Sequence, residues 1–341
     1  MLFSNTLVKE ETISAENLSS ISANSHQLDI KIHFTDSDEI TIRQYDIDSN
    51  NTFHLSAENG RLSINVASYT RLLIFNFSLN PRLEIYLPRS YSGAVSLSTT
   101  SGAISGAAHA DWGETVIQTS SGSIKLEDGI SCTSLSAESF SGSIKIGAIY
   151  SSGDASAKTS SGSLRLEDIT AAQTISLSSF SGSVSTGDIS CQNLHISTNS
   201  GALRIERMDV SDFISIKTSS GSQKIGNIST AVFAISATSG SIKYDSLSGG
   251  GSLSTSSGSI NIELAHFTAD TALSSNSGSV RVKFSNSQNA ELNLSTSSGS
   301  IKTGSLELLY DKSGRSSLGS VGTGEGCNIT IKTSSGSIKI S

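Results

Sequence analysis

From about residue 95 onward, Ile, Leu and Val return at every second position in short bursts on either side of a recurring Ser-Gly pair. The glycines of these pairs are Gly102, Gly122, Gly142, Gly162, Gly182, Gly201, Gly221, Gly240, Gly258, Gly278, Gly299 and Gly336. They are separated by 18 to 21 residues, except for a last gap of 37 that reads as one repeat plus an insertion. Two and four residues after the glycine the chain is apolar, as in Ile124/Leu126, Ile144/Ile146 and Leu164/Leu166. Five and seven residues before it the pattern recurs, as in Leu177/Ile175, Ile216/Ile214 and Ile331/Ile329. Alternation on both sides predicts two short strands per repeat, each with one buried face. The inside/outside parity breaks at the glycine, as a sharp corner requires. Glycine at positive φ is expected there, with small Ser neighbours letting corners stack closely.

A unit of about 20 residues cannot bury its own apolar edge and must stack on copies of itself. The expected fold is all-β: a single-stranded parallel β-solenoid of Ser-Gly-Ser rungs ~4.8 Å apart. Residues 119–149 and 159–189 share TSSGS, LED and SFSGS, a longer period of paired rungs. Residues 1–24 are read as an N-terminal cap. Residues 25–94 are read as irregular β-rich early rungs, with strands at 28–32, 39–44, 62–66 and 83–88. Residues 95–341 are read as the regular solenoid, with an inserted loop at 311–326. AENGRLSI (57–64) reads as a diverged corner.

The run LEIYLPRSYSGAVSLSTTSGAI (83–104), the repeated TSSGSIKI units and GEGCNITIKTSSGSIKI (324–340) carry a resemblance. From about residue 25 onward the chain resembles the bacterial putative-adhesin family of β-solenoid repeat proteins. That resemblance implies the architecture and an association with adhesion or the cell envelope, and it implies no particular chemistry.

Composition narrows the function. Charged residues are 16% and aromatics 6%, both low for a globular domain. The formal charge of −7 argues against general nucleic-acid binding. The first residues lack the basic start, apolar run and cleavage site of a secretory signal, and the apolar stretch at 72–79 is too short to span a bilayer. A cytoplasmic chain is the direct expectation. Attachment to the envelope by a route not visible in the sequence is the alternative.

Catalytic residue types do not break the repeat, so no catalytic residue, metal site or cofactor is expected. The six histidines (His26, His33, His54, His109, His195, His266) show no metal-ligand spacing. Lys302-Thr303-Gly304 matches a β-lactamase-type KTG but lacks its S-x-x-K and S-D-N partners, and Lys145-Ile146-Gly147 occupies the same column. A polysaccharide-cleaving β-helix would need carboxylates clustered on one face. Glu127, Glu167, Glu206, Asp245 and Glu263 instead form a column beside basic residues, which predicts charge pairing.

Those basic residues are the candidate site. Three positions after the glycine stand Lys125, Lys145, Arg165, Arg204, Lys224, Lys243, Arg281, Lys302 and Lys339, with Ser105, Ser185 and Asn261 at the remaining repeats. A stripe of outward charges one coil apart would suit an anionic envelope polymer or a lipid surface, and a protein partner is the other expectation. Thr119, Thr159, Thr198, Thr218, Thr255, Thr296 and Thr333 form a second column, read as inward hydroxyls that satisfy one another. The strand IKI (338–340) is expected to leave an open edge, which would permit end-to-end self-association.

Overall fold

The computed structural model describes residues 6–46, 51–67, 80–106, 109–285, 289–304, 309–310, 314–322 and 326–341. The apolar stretch 72–79 and parts of the loop at 311–326 lie outside them. Two compact units, Met1–Ala172 and Gln173–Ser341, divide the chain, and each is a β-solenoid of stacked parallel coils.

In the first unit, Ala94–Thr99, Glu114–Thr119, Ser134–Ser139 and Ala155–Thr159 pair in parallel in that order. So do Ile104–Gly106, Ile124–Leu126, Ile144–Ile146 and Leu164–Leu166 beyond the corner. A third short strand completes these coils, at Ala110–Asp111, Ile130–Cys132, Ile149–Ser151 and Ile169–Ala171. Two strands per repeat were expected; the third rests on single isoleucines too sparse to show alternation. Inward side chains such as Ile124, Ile144 and Leu164 are fully buried, each contributing ~1.5–3 kcal/mol over exposure.

The earlier residues do not stack in chain order. Ser20–Ser25 lies between Arg61–Val66 and Ala94–Thr99. Asp29–Thr35 likewise lies between Arg82–Pro88 and Ile104–Gly106. Antiparallel strands cover the outer rung: Glu39–Asp46 on Arg82–Pro88, Thr6–Ser14 on Glu39–Asp46, and His54–Glu58 on Arg61–Val66. The stretch 57–64 is therefore a hairpin and not a diverged corner. Its turn places Asn59 at φ 52 and Gly60 at φ 73, the left-handed pair that a two-residue hairpin favours.

In the second unit the strands lengthen, because the last strand of one coil runs on into the next. Val184–Thr198, Leu203–Thr218, Gln223–Ala237 and Ile242–Thr255 are successive parallel neighbours. Rung order is broken again further on. Cys327–Thr333 inserts between Thr271–Ser275 and Ala290–Thr296, and Ile338–Ile340 inserts between Val280–Phe284 and Ile301–Lys302. Ile338–Ile340 is thus paired on both sides and is not the open edge expected for it. Ser316–Val321 lies antiparallel on Ala290–Thr296 and pairs in turn with Leu309–Tyr310.

The corner glycines are needed for a different reason than positive φ. None of them is among the described positive-φ residues. A Cβ on Gly142 would instead overlap the carbonyl oxygen of Gly122 and stand 2.8 Å from the Ser123 nitrogen. The same collision repeats along each column: Gly221 against Gly201, Gly278 against Gly258, Gly336 against Gly278, and Gly299 against Gly336. The Thr/Ser column also differs from the expectation, since its hydroxyls bridge backbone and not one another. Gly122 N donates to Thr119 Oγ1 (3.0 Å), which donates onward to Gly102 O (3.0 Å) in the neighbouring rung. Ser139 and Thr159 repeat the arrangement toward Gly122 and Gly142.

Candidate functional site

Parallel pairing without register shift puts residues at equal offsets from the corner directly above one another. In the first unit Ser105, Lys125, Lys145 and Arg165 are aligned partners. Lys31 continues the same column beyond Ser105. In the second unit the aligned order is Ser185, Arg204, Lys224, Lys243, Asn261, Arg281, Lys339 and Lys302. All nine basic residues singled out above are exposed. Strand parity forces this, because each lies between two inward neighbours, apolar except for Gln223 beside Lys224 and Thr303 beside Lys302.

The adjacent acids neutralise the columns less than expected. Lys125 Nζ meets Glu127 Oε1 at 2.6 Å, and the Lys125 hydrogen bond and charge hold the Glu127 carboxyl below its usual range. Glu263 turns to Lys283 (2.7 Å), outside the column, and its carboxyl is lowered by the hydrogen bonds of Lys283 and Ser285. Among the described residues, no other member of the basic columns has an ion pair within 4.0 Å. Like charges ~4.8 Å apart repel by on the order of 1 kcal/mol per pair in bulk water, less with salt. Arg204, Lys224 and Lys243 form such a run.

A second polar concentration, on the sheet covering the first unit, escaped sequence reading. Lys31, Glu84, Arg43 and Glu10 form one aligned row across four strands. His33, Tyr86, Thr41 and Thr12 form the next. Arg82 Nε donates to Glu84 Oε1 (2.6 Å), Tyr86 Oη to Glu84 Oε2 (2.9 Å), and Arg43 Nε to Glu10 Oε2 (2.9 Å). His33 stacks on Tyr86 at 4.7 Å, and the Arg43 and Arg82 guanidiniums lie over Tyr86 and Tyr45. Burial pushes the Glu84 carboxyl up, but the Arg82 and Tyr86 hydrogen bonds, with the charges of Arg82 and His33, outweigh it and leave it lowered. The available signal was outward charge and aromaticity in EITIRQ and LEIYLP, in a chain whose outward positions are otherwise mostly Ser and Thr.

Two grooves accompany these surfaces. One, of about 470 Å³ in the second unit, is lined by Ser254, Ser256, Ser274, Asn276, Lys332 and Ser334 among others and contains no carboxylate. The other, of about 370 Å³ in the first unit, holds Glu16 and Asp38 beside Tyr91. Burial pushes the Tyr91 phenol up to about 12, so it stays protonated and donates to Ala94 O at 3.0 Å. Among the described residues no group of three or more His, Cys, Asp or Glu is placed to hold a metal ion. No described helix is long and apolar enough to cross a membrane.

The family model for Toastrack DUF4097 matches the chain twice, over residues 18–170 and 149–341. Among solved structures, a putative adhesin from Bacteroides fragilis is 12% identical, with 98% of this chain and 96% of that chain covered and a TM-score of 0.29. A putative adhesin from Parabacteroides distasonis is 10% identical over the same shares, with a TM-score of 0.30. A putative lipid binding protein from Parabacteroides distasonis is 15% identical over 98% and 96%, with a TM-score of 0.25. At these values the likenesses carry no argument about a ligand. No curated protein matches the chain.

Proposed function

The chain belongs to the Toastrack DUF4097 family, and on that premise we propose that it is a non-enzymatic, adhesin-like interaction module. Its aligned Lys/Arg columns grip an anionic envelope polymer or an anionic lipid surface. One observation carries this reading: in an acidic chain, nine of the twelve repeats place a cation in the same aligned columns, exposed and, apart from Lys125, without an ion pair among the described residues. An extended polyanion meets such a column with many contacts at once, and each coil adds to the avidity. Contacts of this kind are salt-sensitive, with a screening length of ~8 Å at physiological ionic strength.

The test reverses Arg204, Lys224 and Lys243 to Glu in the full chain, where no neighbouring acid already neutralises them. Binding to vesicles containing phosphatidylglycerol, or to purified teichoic acid, is read at low salt and toward ~0.3 M. The parent is expected to bind at low salt and release as salt rises, and the triple variant to lose most binding while keeping its strand signature. The comparison triple reverses Lys158, Lys217 and Lys332, which are exposed and lie outside the columns. Lys9 is unsuited to that comparison, because it is half-buried and donates to Phe53 O at 2.7 Å. A parent that binds neither probe, or two triples that lose binding alike, would mean the columns only solvate the sheet.

A further inference from the structure

We propose that the rung formed by Cys327–Thr333 and Ile338–Ile340 is an exchangeable element, and that the slot it fills accepts the same rung from a second copy of this chain. After Val280–Phe284 the chain builds Ala290–Thr296 and Ile301–Lys302 one rung too far out, leaving a rung-wide gap. Residues 327–340 close that gap only after Leu309–Tyr310 and Ser316–Val321 have intervened in sequence. Without that rung, Thr271–Ser275 and Val280–Phe284 present an unpaired edge, and Ala290–Thr296 and Ile301–Lys302 lose their pairing to it, since they reach the inner rung through residues 327–340. Such an edge templates any strand of matching pattern.

The filling rung fits through contacts indifferent to the molecule that supplies it. Ile329 aligns with both Thr271 and Leu292, and Ile338 with both Val280 and Ile301. Ile329, Ile331, Ile338 and Ile340 are fully buried, and Thr333 Oγ1 donates to Gly278 O at 3.0 Å. Gly-Thr-Gly-Glu-Gly, at 322–326, joins this rung to the preceding strand. Reciprocal exchange of an identical element closes a twofold dimer at little cost in contacts. At low concentration the tethered rung wins, with an effective concentration in the millimolar range. Exchange is therefore expected when chains fold together at high concentration.

The register supplies the probe. Ala290 and Cys327 are aligned partners, and the ~4.8 Å spacing of neighbouring strands lies inside the Cα window for a disulfide. Cys132 and Cys191 are free and buried, and burial raises their thiols to about 11 and about 12, so they compete poorly for oxidation. Full-length Ala290→Cys is unfolded, refolded over a hundredfold range of concentration, oxidised and resolved without reductant. Because Ala290 is buried, a second variant places the pair on the exposed, aligned positions Glu291→Cys and Asn328→Cys, with Cys327→Ser. The expected result is cross-linked monomer at low concentration and a cross-linked dimer that rises several-fold with concentration, while the parent refolded identically shows a discrete dimer by light scattering. Cross-linked monomer alone at every concentration in both variants, or heterogeneous aggregate without a discrete dimer, overturns the proposal.

Discussion

Replacing Gly142 with Ala separates the two possible reasons for a glycine at the corner. The change is mild by the backbone criterion, since Gly142 is not among the described positive-φ residues. Ala would even stabilise by ~0.4–1 kcal/mol through the unfolded chain if it fitted. It does not fit: the new Cβ overlaps Gly122 O and stands 2.8 Å from Ser123 N. Those atoms belong to the neighbouring rung, held by Ser141 N to Ser120 O (2.8 Å), Gly142 N to Ser139 Oγ (2.8 Å) and Ser139 Oγ to Gly122 O (2.9 Å). Moving the corner by on the order of 1 Å would stretch these bonds past the ~3.2 Å limit of good geometry. Losing two or three such bonds, at ~0.5–1.5 kcal/mol each, outweighs the entropic gain and gives a net destabilisation of ~1–3 kcal/mol. Urea unfolding followed by circular dichroism reads the total, and hydrogen exchange at 119–126 and 159–166 shows whether the loss is local, as expected where each rung touches only its neighbours. Gly314→Ala is the counterpart, at φ 65 with nothing within 4 Å of the added Cβ, and should cost only ~1 kcal/mol of backbone strain. If Gly142→Ala melts within ~0.5 kcal/mol of the parent, steric exclusion is not what the corner glycine provides.

Gln223 occupies an inward position that other rungs give to Ile, Leu or Val; its side chain donates to Thr218 Oγ1 and Ser236 O and accepts from the Tyr244 hydroxyl. Gln223→Leu and Tyr244→Phe are each expected to cost ~1–3 kcal/mol by orphaning the partner, and the double variant less than their sum, so additive melts would show the pair to be uncoupled. Glu84 has a lowered folded pKa, so its contribution is present above the ordinary carboxylate value and lost as pH falls through the lowered one. Glu84→Gln should therefore be less stable than the parent at pH 7, with the gap closing on acidification; a gap that stays constant to pH 2 would remove the carboxylate from the account.

Local sequence carried the coil but not the order of the coils. Alternation such as Ile144/Ile146 around Gly142 specifies a strand and its inward face, because a slip of one residue would expose every isoleucine. Nothing local says which rung lies outermost: TSSGSIK at 296–302 and at 333–339 is the same seven residues, yet one ends up inside the other. Lys31 joined the basic column for a related reason, since its strand neighbour Ser105 is distant in the chain and only long-range pairing unites them. The column was legible as periodicity. Its ion pairs were not, because they depend on which way each long side chain turns, as Glu263 shows by choosing Lys283. The corner glycines were expected for positive φ and are instead confined by the next rung, since a Cβ collision with that rung is invisible in one rung taken alone.

The uniform spacing of Gly122, Gly142 and Gly162, 20 residues apart with their strands in unbroken register, makes length editable in whole steps. Duplicating residues 140–159 would supply a coil whose floor and ceiling are already shaped to receive it, the new glycine meeting an existing carbonyl and the new threonine hydroxyl an existing backbone acceptor. The basic column would gain one cation and ~4.8 Å of reach. On the proposed function, recombination between repeats would lengthen or shorten the charged column one rung at a time, without redesigning any contact.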